Sequence, residues 1–106
     1  MMRAGRLHHR VEFQEPLHEQ DAAGQPISTW RTVGRRWAGV EPLTGQELLR
    51  AQQFGSETTI RVRIRYMNRL TPRWRLLHER RTLEIVSIID REERGRELEL
   101  LCKEIV

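Results

Sequence analysis

A chain of 106 residues is enough for one domain and too little for two, and a domain of this size buries roughly two-thirds of the surface its unfolded chain exposes. Only 38% of the residues are hydrophobic while 32% are charged, so either the core is small or charged surface is held for a partner. The net charge of +4 favours phosphate or an acidic protein surface; no apolar run of about 18 residues exists to span a membrane, and the start MMRAGRLHHR lacks the apolar stretch of a signal peptide.

Hydrophobic periodicity of two dominates the chain and predicts strands. Leu7 to Gln14 is the first, with Leu7, Val11 and Phe13 on one side and Pro16 as its stop. The polar stretch His18 to Pro26 carries Asp21 and Gly24 and reads as a long hairpin loop. Ile27 to Val33 is the second strand, Gly34 breaks it, and Arg36 to Glu41 is the third. Pro42 then interrupts the sheet pattern. Residues 42–57 read as an inserted loop and helix, capped by Thr44 or Gly45, with Glu47 in the first turn and Gly55 as the stop.

Thr58 to Tyr66 (TTIRVRIRY) is the clearest element: Ile60, Val62, Ile64 and Tyr66 face one way, and Thr59, Arg61, Arg63 and Arg65 the other. After a turn over Met67 to Pro72, short strands follow at Trp74 to His78 and Thr82 to Asp90, with a turn at Glu79 to Arg81. A last hairpin turn over Arg91 to Arg96 leads into Glu97 to Ile105. The expectation is a mainly β domain spanning 1–106: a small antiparallel β-barrel of about six or seven strands with one short inserted helix, residues 1–5 being flexible.

No catalytic constellation stands out. His8 and His9 are neighbours and point to opposite faces of a strand, and neither they nor His18 and His78 sit at a metal-ligand spacing, so no metal or cofactor is expected. Glu92, Glu93, Glu97 and Glu99 read as a solvated acidic edge, and Ser28, Ser56 and Ser87 lack a neighbouring base, so no enzyme is expected. Cys102, the one cysteine, reads as a small core residue and excludes an internal disulfide. Trp30, Trp37 and Trp74 read as the main filling of the core, with base stacking on single-stranded nucleic acid as the rival role.

Charge is unevenly spread. Residues 1–60 carry seven basic and seven acidic side chains, 61–81 carry eight arginines against Glu79, and 82–106 carry four basic against seven acidic. The blocks of 0, +7 and −3 sum to the net +4 and predict an electrically polar subunit suited to head-to-tail contact.

Together these motifs resemble the phage head–tail joining (head-closure or stopper) proteins. MRAGRLHHRVEFQEP is similar to their basic leader and first strand, DAAGQPISTW to their hairpin, and WAGVEPLTGQELLRAQQF to the stretch that precedes and forms their helix. TTIRVRIRY, TPRWRLLHERRTLEIVSIID and ELELLCKEIV follow in matching order, so the resemblance covers nearly the whole chain. It implies a subunit of a six- or twelve-copy ring in the virion neck, between portal or adaptor and tail, through which double-stranded DNA passes without sequence readout. Assembly would occur in the bacterial host cytoplasm, and no membrane is implied. On that footing Leu43, Leu48, Leu49 and Phe54, with Arg61, Arg63 and Arg65, are candidates for subunit or protein contact, while Arg50, Gln52 and Gln53 are candidates for the DNA channel. For the three arginines, DNA and plain solvent remain alternatives. Rival functions are another neck component, such as a tail-completion or adaptor protein, and a nucleic-acid-binding barrel of OB type.

Overall fold

The computed structural model describes residues 7–90 and 95–105. Alternating apolar residues drive six strands: β1 (His9–Gln20), β2 (Pro26–Pro42), β3 (Ile60–Arg65), β4 (Arg75–His78), β5 (Arg81–Ile89) and β6 (Glu97–Ile105). One helix, α1 (Gly45–Gln53), lies between β2 and β3. All pairings are antiparallel, and the strands close a barrel in the order β1-β2-β3-β6-β5-β4. Closure removes the exposed sheet edges that would otherwise invite stray pairing.

The interior is aliphatic. Val11 and Phe13 of β1, Ile60, Val62 and Ile64 of β3, Leu76 of β4, Leu83 and Ile85 of β5, and Leu98, Leu100 and Cys102 of β6 are all buried there. Of the tryptophans only Trp74 joins them; Trp37 is 53% exposed and Trp30 is also exposed. Strand parity explains the correction for Trp37, because its neighbour Ala38 is the fully buried residue and the pleat turns Trp37 outward. Cys102 is fully buried, and burial pushes its thiol pKa up to about 12.

Two β-bulges adjust that parity. Phe13 pairs with Gly34 but Gln14 pairs with Thr32, which leaves Val33 as the extra residue, turned to solvent. The same device between Ile85 and Ser87 expels Val86 and returns Ile88 to the edge of the core. Gly34 therefore sits in a bulge inside one strand of 17 residues, and the expected break between second and third strands does not exist.

Pro16 is likewise no stop. β1 runs through it to Gln20, and the connection shrinks to Asp21–Gln25, where the Asp21 carboxylate accepts backbone N–H groups of Ala23 and Gln25 (2.9 Å each) and Gly24 takes φ +81°. Because β1 pairs with β4 only at Glu12, Phe13 and Gln14, Pro16 lies where no second strand needs its missing N–H. Beyond that point the six pairs from Glu15↔Arg31 to Gln20↔Pro26 form a two-stranded arm, roughly 20 Å long at the usual strand rise.

β3 is shorter than its alternation suggested: it ends at Arg65, Tyr66 is exposed, and Met67 takes the buried position instead. The helix ends as its glycine dictates. Gly55, at φ +72°, donates to the Gln52 carbonyl (3.0 Å) and Ser56 to the Ala51 carbonyl (2.8 Å), a Schellman arrangement. Residues 1–5 and most of the expected turn at Arg91–Arg96 lie outside the described residues.

Cys102 should stay silent toward thiol-specific reagents in the native protein and react fully once guanidinium unfolds it. A spectrophotometric thiol assay with and without denaturant checks this, and rapid native labelling would contradict the burial.

Candidate interaction surface

Antiparallel register sets the basic middle of the chain against its acidic end. In the β3–β6 ladder Arg63 lies opposite Glu99 and Arg65 opposite Glu97, while Arg61 lies opposite Leu101. Arg61 is only 8% exposed, which corrects its place in a solvent-facing row. Its Nε donates to Glu99 Oε1 at 2.8 Å and its Nη1 to Glu41 Oε1 at 3.3 Å, and its Nη2 forms an ion pair with Glu47. Glu99 is itself buried, so the guanidinium and this carboxylate satisfy one another out of water.

Those partners come from separate elements. Glu41 is near the end of β2, Glu47 is in the first turn of α1, and Glu99 is on β6. Arg61 thus fastens the inserted segment to the barrel wall. Arg63 is half-buried and shares Glu41 (3.3 Å), while Arg65 is exposed. Elsewhere Arg81 pairs with Glu104 (2.8 Å) and Arg75 donates to Gln14 (2.7 Å) while lying over Trp30. The +7 block is therefore partly neutralised within the subunit, and the predicted electrical polarity is weaker than the sequence implied.

The helix itself is fastened without being buried. No residue of α1 is buried; Leu48 is half-buried, Leu49 is 55% exposed, and Arg50, Gln52 and Gln53 face solvent. Phe54, the residue that ends it, is 84% exposed. Leu43 behaves differently, at 6% exposure, with its N–H donated to the Thr59 carbonyl at 2.8 Å. Between α1 and the barrel lies an open groove of about 470 Å³, walled by Ala51, Phe54, Ile89 and Leu101 with Arg61 and Glu99 among its lining. The structure thus gathers Leu43, Arg50, Phe54 and Arg61 around one groove, and sets Leu49, Gln52 and Gln53 on the exposed helix beside it.

Exposed apolar side chains also occur along β2, where Ile27, Trp30, Val33 and Trp37 are each exposed, with Arg75 4.3 Å from the Trp30 ring and Arg10 5.3 Å from that of Trp37. The sequence hid them because Gly34 disguised the uninterrupted length of β2.

At the barrel rim, His78 Nε2 lies 3.1 Å from His9 Nδ1. Burial, and after it the charge of His9, holds the His78 pKa below its usual value.

These features define a class: a small closed β-barrel with an uncovered helical excursion and a projecting hairpin. The chain belongs to the phage head completion protein family, whose sequence model matches residues 2–105. It is similar to head completion protein gp7 of Enterobacteria phage HK97, 29% identical over 107 residues and covering 96% of each chain. Its structure is similar to the solution structure of protein SF1141 from Shigella flexneri 2a, with a TM-score of 0.76, 28% identity and coverage of 97% and 96%. A chain of the virion of a native gene transfer agent particle shares the fold, with a TM-score of 0.64 at 20% identity and coverage of 95% and 97%. The protein is accordingly a structural component of head–tail joining, associated with other virion proteins. None of its described helices is long and apolar enough to cross a membrane.

Replacing Arg61 with Ala should cost about 1.5–3 kcal/mol of stability, since it removes a buried guanidinium that bonds Glu99, Glu41 and Glu47. Arg65→Ala should change stability by no more than about 0.5 kcal/mol, as expected for an exposed side chain. Urea unfolding of the two variants beside the parent protein distinguishes these values.

Proposed function

We propose that this protein works as a ring subunit between the portal or adaptor and the tail, helping to close the DNA-filled capsid and to receive the tail. The observation that carries the reading is the bare excursion: α1 buries none of its residues and Phe54 is 84% exposed beside an open groove. A lone amphipathic segment of this length is marginal in water, and burial against a neighbour is what stabilises it.

A ring forms when a heterologous contact repeats through a rotation that divides a full turn. Six or twelve copies satisfy that condition. Leu48, Leu49 and Phe54 supply the apolar contact to the neighbour, with Leu43 forming the buried base of the same segment. Arg61 acts from within the subunit by holding the segment in place, while Arg63 and the exposed Arg65 offer charge to a neighbour. The arm over residues 15–31 has no core of its own, and a two-stranded ribbon of that kind gains from lying on another chain. Arg50, Gln52 and Gln53 face the passing double-stranded DNA; one cation and two amides per subunit touch phosphate without gripping it. No catalytic step is part of this role.

Single-strand binding is the second reading, favoured by the exposure of Trp30 and Trp37. Against it, arginines already lie over both rings.

The double variant Leu49→Ser with Phe54→Ser should keep the parent's thermal unfolding midpoint to within a few degrees, because both side chains are already in water. In the encoding virus or prophage it should yield heads that lose DNA and carry no tails, as scored by electron microscopy. Normal tailed particles from this variant would overturn the proposal. Tight, salt-sensitive binding of single-stranded DNA by the isolated protein would instead favour the second reading.

A further inference from the structure

The β1–β4 seam closes the barrel with only three paired positions, fewer than any other ladder. Continuing its register by one residue sets Val11 opposite His78. His9, Val11 and Phe13 alternate toward the interior on β1, as Leu76 and His78 do on β4, so the two histidines meet at the rim where the seam ends. Their rings are perpendicular, with centroids 4.8 Å apart. The Glu79 carboxylate, from the turn that follows β4, reaches to 4.0 Å from His78 Nε2.

We propose that His9, His78 and Glu79 form a binding site for a divalent cation of the zinc class, bridging the two strands that close the barrel. The three donor atoms lie within 4.8 Å of one another. Zinc–nitrogen bonds of about 2.0–2.1 Å at a tetrahedral angle require two nitrogens about 3.3–3.4 Å apart. His78 Nε2 and His9 Nδ1 stand at 3.1 Å, so a small parting of the rings admits the ion. Two imidazoles with one carboxylate suit zinc, cobalt or nickel better than the harder magnesium or calcium. Three protein ligands leave a fourth position for water.

A further observation supports the cluster: the ring of His78, only 5% exposed, turns its Nε2 toward both a second imidazole and a carboxylate, two groups that ligate metals. Glu79, besides, occupies a left-handed backbone position, φ +58°, in a two-residue hairpin turn where glycine or asparagine would fit without strain. A carboxylate held there despite the strain is accounted for by what the carboxylate can reach. An ion bound at this rim engages the folded barrel and not the unfolded chain, so it stabilises the shortest seam.

The test uses the full chain without a histidine tag, stripped with chelator, then titrated with zinc chloride by calorimetry and with cobalt chloride by visible absorption. One zinc per chain, a thermal midpoint that climbs with zinc concentration, and a tetrahedral cobalt spectrum are expected. His9→Gln, at a half-buried position, and Glu79→Gln, at an exposed one, should each weaken binding by about tenfold or more. His18→Gln, on the distant arm, should leave it unchanged. No uptake by the folded parent protein up to millimolar zinc would overturn the proposal. So would binding that survives both His9→Gln and Glu79→Gln, since the ion would then sit elsewhere.

Discussion

A guanidinium taken out of water must be met by carboxylates, and the organisation of this subunit follows from how that demand is satisfied at Arg61. One side chain on β3 engages Glu99 on the neighbouring strand, Glu41 at the end of β2 and Glu47 at the start of α1. The barrel wall, the exit of the inserted segment and the first turn of its helix are thereby held to a common point. Arg61 and Glu99 are buried while Glu41 and Glu47 stand half in solvent, and the desolvation of the buried two leaves little net gain over apolar side chains in their place. What the knot contributes is placement: it fixes where an otherwise unburied helix stands.

That placement gives the family's role a physical form. The hydrophobic interior is small and aliphatic and is spent on closing six strands, so two segments remain outside it: the helix with Phe54 and the long arm of β1 and β2. Each is held in shape by polar contacts, Arg61 for the one and the Asp21 turn with the Glu15–Arg31 pair for the other. Apolar groups displayed on a polar scaffold are what an assembling subunit needs, since it must stay soluble alone and bury area on arrival.

Much of this was legible before any coordinates. Strict alternation in TTIRVRIRY gave an inward row of Ile60, Val62 and Ile64, and Gly55 marked the end of the only helix among the described residues. Where the reading failed, a punctuating residue meant something other than a stop. Gly34 marked a bulge and Pro16 an unpaired edge, because in a sheet those residues are tolerated wherever the ladder does not need them. Trp30 and Trp37 were misplaced because residue size argues for burial while parity, set by the neighbouring Ala38 and by the bulge, decides it.

Composition and local pattern alone therefore determined the strand-rich class, the single inserted helix, the buried Cys102 and the likeness to the head–tail joining proteins. Tertiary structure decided the rest, because it depends on residues far apart in the chain. Arg61 and Glu99 are separated by 38 positions, and His9 and His78 by 69. Strand register brings such pairs together, and register is a property of the closed barrel that no window of sequence contains.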